Sequence, residues 1–131
     1  MGEKEELIKG WLNKAKHDLG MARLALDANS GYNDSICFHC QQAAEKYLKA
    51  YLVFLDLDFA KTHSIGYLLD LIGEKQKIQD DFYSQLEKLE GYSVAVRYPD
   101  SAFEPSEEEA AEAYRIAESV KDFIFKNMSL V

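Results

Sequence analysis

CFHCQQAAEKYLKAYL, residues 37–52, decides the fold. Its Cys-x-x-Cys pair encloses a histidine, so it reads either as a metal or redox knuckle or as a helix that buries two thiols. Zinc takes four ligands, usually two such pairs or one pair plus a spaced histidine pair, and the second half is missing: His17 and His63 are the only other histidines. A thioredoxin-like pair needs a helix N-terminus beside a parallel sheet, and no alternating run of β-branched residues supplies one. Glu-x-x-His, the ligand pair of a di-iron bundle, occurs nowhere. At about 100° per residue, Ile36, Cys37, Cys40, Ala43, Ala44, Tyr47, Ala50, Tyr51, Phe54 and Leu55 share one arc. The stretch therefore predicts a helix with buried, reduced thiols, and neither a metal nor a cofactor is expected.

Outward from it, helices follow in both directions. Ile8, Leu12, Ala15, Leu19, Ala22 and Leu26 form one stripe, predicting an amphipathic helix over 4–27 that Asn29-Ser-Gly-Tyr-Asn stops. Asn33 or Asp34 is the expected cap of the second helix, which runs to about 56. Thr62 or His63 begins a short third helix through Ile65, Leu68, Leu69 and Ile72. A fourth covers about 78–96 with Ile78, Phe82, Leu86 and Leu89 inward, and Pro99 prevents its extension beyond about Arg97. Ser106-x-x-Glu109 is a capping box opening a fifth, whose inward face is Ala110, Ala113, Tyr114, Ala117, Val120 and Ile124. With no repeat and 131 residues, the expectation is a single all-α domain over 1–131, an up-and-down bundle of four to five helices.

Charge narrows the partners. Fifteen Lys and Arg against 23 Asp and Glu give −8, with no basic block, so an extended nucleic-acid surface is not expected. No apolar run approaches the roughly 18 residues of a membrane span, and MGEKEELIKG lacks a signal core. A cytoplasmic location is expected.

The second helix carries a polar arc opposite its core face: His39, Gln42, Glu45, Lys46 and Lys49, with Phe38 and Val53 embedded. Glu45 and Lys49 are also an ordinary i, i+4 pair, so a solvated face is one reading. The other is a covered face, with Phe38, His39, Gln42 and Val53 at the interface of a homodimer and the Gln-Glu-Lys-Lys ridge turned away from the protomer's interior. Asp18 lies at the edge of the first helix's apolar seam, where a carboxylate is normally paired; Lys46, Lys49 or Arg97 is its expected partner.

Four stretches combine: the run through Lys14, Asp18 and Ala22; CFHCQQAAEKYLKAYL; THSIGYLL; and YSVAVRYPD. Together they resemble the HEPN family (higher eukaryotes and prokaryotes nucleotide-binding domain), in the family's order, from the first helix to Asp100. The resemblance implies a four- or five-helix bundle, often dimeric, frequently encoded beside a small nucleotidyltransferase and acting in toxin-antitoxin modules. The ribonuclease branch of the family carries an Arg followed, after four to six residues, by a His. Here Arg97 is followed by Tyr98, Pro99 and Asp100, no histidine follows His63, and Arg23 precedes His39 by sixteen positions. The sequence thus resembles the branch without that pair. It implies a non-catalytic nucleotide-binding and interaction module, with Lys46, Lys49, His63, Arg97, Tyr98 and Asp100 as nucleotide-binding candidates and a minimal nucleotidyltransferase as partner. Arg97 suits bidentate phosphate recognition, and His63 stands near a helix start where anions collect. Arg97 also fits an ion pair with Asp100 or Asp18, and Tyr92 and Tyr98 fit either base stacking or core packing. The alternative is a divergent metal-independent ribonuclease toxin using Arg97 with His39 or His63 brought close by the fold.

Overall fold

A computed structural model describes residues 2–61, 64–96 and 104–129. Five helices follow one another: α1 (Glu3–Asp27), α2 (Asn33–Phe54), α3 (Ile65–Gly73), α4 (Asp80–Val96) and α5 (Glu107–Asn127). No strand occurs among the described residues. Each periodic stretch in the sequence became a helix because its apolar stripe had a neighbour to bury against.

Side-chain pairs give the directions. Lys4 meets Asp56, Trp11 meets Lys49 and Asp18 meets Lys46, so α1 and α2 run antiparallel. Tyr47 and Tyr51 of α2 touch Phe125 and Phe123 of α5, whereas Phe82 of α4 stacks on Phe123 while Tyr92 reaches Glu112 near the start of α5. The long helices α1, α2, α4 and α5 are thus an up-and-down bundle with α2 at its centre, packed against all four other helices. Short α3 lies across α2 and α4, its start fixed by the Ile65 amide donating to Glu90 Oε1 at 2.6 Å.

Local chemistry sets the ends. The Ser106 and Glu109 side chains each accept from the other's backbone amide, completing the expected capping box. α1 and α2 both end with an amide reaching back five residues, Ser30 to the Ala25 carbonyl and Leu57 to the Leu52 carbonyl, after a left-handed residue, Asn29 (φ 50°) or Asp56 (φ 60°). Asn and Asp tolerate that conformation better than most side chains.

Two expected caps are corrected. Neither Asn33 nor Asp34 is the N-cap of α2: Asn33 is already helical and donates to the Pro105 carbonyl at 3.1 Å, which ties the starts of α2 and α5 together. α3 is capped by Ser64, whose hydroxyl accepts from the Tyr67 amide; Thr62 and His63 lie outside the described residues.

Candidate functional site

Asp18 anchors the edge between α1 and α2. Its Oδ2 accepts from Lys46 Nζ at 2.5 Å and its Oδ1 lies 3.0 Å from His39 Nδ1. A carboxylate can only accept, so Nδ1 is the donor and Nε2 is the nitrogen left over. The predicted basic partner of Asp18 is therefore Lys46. Residues 39 and 46 are seven apart, two turns on one face of α2, and both reach the same carboxylate on α1. Phe38 projects beside this set, 36% exposed and edge-on to the His39 ring at 5.7 Å. Met21, one turn along α1 from Asp18, is 54% exposed.

The ridge itself is not turned away from the interior along its length. Glu45 and Lys49 are buried within one protomer, 1% and 7% exposed, and paired at 3.4 Å. Gln41 is buried as well and accepts from Gln42 Nε2 at 2.8 Å. The cause is the centrality of α2 together with a roof that its own helical wheel does not show. Lys49 Nζ sits 5.1 Å from the Trp11 ring centre, and Trp11 is tilted against Phe59 from the segment that follows α2. Only Lys46, Gln42, His39 and Phe38 remain at the surface, and Lys46 and Gln42 are half-buried.

Val53 does not join Phe38. Fifteen residues separate them, about 22 Å along a helix at about 1.5 Å per residue. Val53 instead lines a separate groove of about 660 Å³ with Leu7, Leu57 and Phe59, rimmed by Glu3, Asp56 and Asp58. Arg97, Tyr98, Asp100 and His63 lie outside the described residues. Tyr92 is buried and donates to Glu112 at 2.7 Å, so of its two readings it takes core packing.

The thiols are helix core. Cys37 and Cys40 are free and fully buried, and burial pushes the Cys37 thiol up to about 12 and raises Cys40 as well. Among the described residues no group of three or more His, Cys, Asp and Glu side chains is placed to hold a metal. No helix among them is long and apolar enough to cross a membrane.

A second cation cluster escaped the sequence reading. Between α1, α2 and α5 lies a groove of about 360 Å³ lined by Lys9, Leu12, Asn13, Lys16, Tyr47, Lys121 and Phe125. Lys9 and Lys16 are seven apart on the flank of α1 opposite Asp18, a spacing visible in sequence; nothing local marks Lys121, a hundred residues later, as their neighbour.

A family model described as HEPN domain matches residues 8–128. Among solved structures, a protein from Thermus thermophilus is similar over 91% of this chain and 96% of its own, with 30% identity and a TM-score of 0.80. An archaeal HEPN homologue is similar over 92% and 96%, at 28% identity and a TM-score of 0.73. A HEPN domain protein from Thermotoga maritima shares the fold over 93% and 99%, at 22% identity and a TM-score of 0.74. Among curated proteins none matches the chain.

Proposed function

The chain belongs to the HEPN domain family, and on that premise we propose that it is a non-catalytic nucleotide-binding and interaction module. In this reading it forms a homodimer and works with a separately encoded minimal nucleotidyltransferase, as one half of a toxin-antitoxin-like pair. One observation carries the reading: the closed Asp18–His39–Lys46 set beside the exposed Phe38 ring. The carboxylate holds both donors, so the edge presents the exposed Phe38 ring, edge-on to His39, next to charges that are already matched. That is the composition of an interface core with a polar rim. The sequence adds the missing Arg and His pair of the ribonuclease branch.

Sedimentation velocity against concentration tests the assembly. A dimer that Phe38→Glu weakens about tenfold or more is expected, since a buried charge replaces an aromatic anchor. Coexpression with a minimal nucleotidyltransferase encoded beside this chain, the partner this reading requires, should give a complex that survives purification. A chain that stays monomeric at high micromolar concentration and takes up no nucleotide in calorimetry refutes the reading.

One observation favours the ribonuclease as a second reading. Asp18 orients His39 through Nδ1, the arrangement by which a carboxylate prepares an imidazole for proton transfer. RNA cleavage by the purified protein, compared with Arg97→Ala, His39→Ala and His63→Ala, decides between the two. Cleavage abolished by Arg97→Ala and by one histidine variant supports the enzyme; no cleavage by the parent chain removes it.

A further inference from the structure

The net charge of −8 makes unmatched cations informative. Lys4, Lys46, Lys49 and Lys88 all contact carboxylates. Lys9, Lys16 and Lys121 do not: none of the three forms an ion pair with a described residue, and no acidic side chain lines the groove they share. Glu5, Glu6, Glu118 and Asp122 stand within about one turn of them on α1 and α5, but outside the lining. Three ammonium groups converging on one concavity repel one another and are relieved by an anion.

The floor between them is apolar and aromatic. Phe125 and Tyr47 meet edge to face at 6.1 Å and 84°, and Leu12 completes the surface. Tyr47 is 2% exposed, yet its hydroxyl has no hydrogen-bond partner among the described residues. Burial pushes that phenol up to about 12, so it keeps its proton and remains a donor. A donor left unmatched inside a protein is costly, and an acceptor arriving in the groove removes the cost. The larger groove around Val53 makes the contrast. It carries Glu3, Asp56 and Asp58, and its one lysine, Lys4, is already bound to Asp56.

We propose that the α1–α2–α5 groove binds a small aromatic polyanion, a planar ring carrying two or more negative charges as in a nucleoside diphosphate. The ring packs on Leu12 and against Phe125, over whose ring Lys121 Nζ stands 5.5 Å from the centroid, the charged end lies among Lys9, Lys16 and Lys121, and Tyr47 donates to it. The volume of about 360 Å³ falls within the range of small-molecule sites. The proposal rests on the nucleotide-binding reading and gives that reading a place, on the flank of α1 away from Asp18.

Titration calorimetry of the full chain with ADP, inorganic pyrophosphate and adenosine tests it. ADP should bind at least about tenfold more tightly than either half, because neither the charge nor the ring alone satisfies the groove. Lys16→Gln and Lys121→Gln should each weaken ADP by about three- to tenfold, and raised salt should weaken it further. Tyr47→Phe, which removes one oxygen from the core and leaves packing intact, should weaken ADP several-fold. Lys77→Gln, on an exposed connection, should leave it unchanged. ADP binding that is indifferent to both lysine changes and to Tyr47→Phe overturns the groove while the nucleotide-binding reading survives. Pyrophosphate binding as tightly as ADP overturns the aromatic half of the proposal. No ADP binding by the parent chain overturns both.

Discussion

Asp18 and Lys46 form a part-buried ion pair across α1 and α2. Their side chains retain 14% and 23% of their exposure, with 2.5 Å between Nζ and Oδ2. The carboxylate charge is spread over two oxygens, so an effective separation of about 4 Å at an effective dielectric of about 20 gives roughly 4 kcal/mol of attraction. Partial desolvation of both ions and ordering of the lysine stem take back about half of that or more. The expected net coupling is about 1–2 kcal/mol, above the roughly 0.2–1 kcal/mol of exposed pairs. A double-mutant cycle of Asp18→Asn, Lys46→Met and the pair isolates it, since methionine keeps the stem and asparagine keeps one acceptor. Asp18→Asn alone should cost about 2 kcal/mol, because His39 loses its charged acceptor as well. In a chain of this size that lowers the Tm by about 6–10 °C. Urea unfolding followed by far-UV circular dichroism reads all four proteins. A coupling below about 0.3 kcal/mol would refute the reasoning, as would one that disappears entirely in about 0.5 M salt, the behaviour of a solvent-exposed pair.

Three further outcomes are expected. Because burial pushes the Cys37 thiol up to about 12 and raises Cys40 too, neither should react with a disulfide reagent at pH 8 until urea is added. The same shift disfavours the folded state as pH rises from the ordinary thiol value of 9.0 towards 12, so stability should fall across that window and fall less in Cys37→Ala. Ser106→Ala removes one side of the capping box and should lower stability by about 1 kcal/mol in the same urea assay, with Ser106→Gly milder. Lys88 at 2.7 Å and the Tyr92 hydroxyl hold the Glu112 carboxyl below its ordinary 4.5. Its contribution is present above about that pH and is lost as acid titrates the folded carboxylate; Glu112→Gln should flatten the acid limb of the stability profile, and an unchanged limb would contradict the assignment.

Most of the bundle was legible because apolar periodicity and capping are local properties. Leu19, Ile36, Leu69, Leu86 and Ile124 each stood on a predicted stripe and each is buried. The Ser106 box needed only four consecutive residues. What failed was inference from the wheel of a single helix. It assigned Glu45 and Lys49 to the outside of α2, correctly with respect to α2's own core face, but an outside exists only if nothing else packs there. α2 packs against all four other helices, and the left-handed turn at Asp56 sends the chain back so that Phe59 closes over Trp11. No pattern within residues 37–52 records that roof. The Asp18 prediction succeeded for the complementary reason: a carboxylate at the margin of an apolar seam needs a cation whatever the topology, and sequence reduced the choice to three.

The same distinction guides the placing of the proposed anion site. The resemblance to the family nominated Lys46 and Lys49, in the most recognisable helix, as nucleotide-binding candidates. Affinity for an anion depends instead on charge that the fold has not already neutralised. Folding commits Lys46 to Asp18 and Lys49 to Glu45, whereas Lys9, Lys16 and Lys121 come together with no carboxylate between them and a buried phenol beneath. Lysines that sequence would dismiss as a solvated flank thus become the stronger electrostatic feature, because α5 returns antiparallel to α1 and brings Lys121 to the flank where Lys9 and Lys16 stand. In the proposed reading the edge at Phe38, with its charges closed, serves pairing and the groove of unpaired lysines serves binding, on opposite flanks of α1.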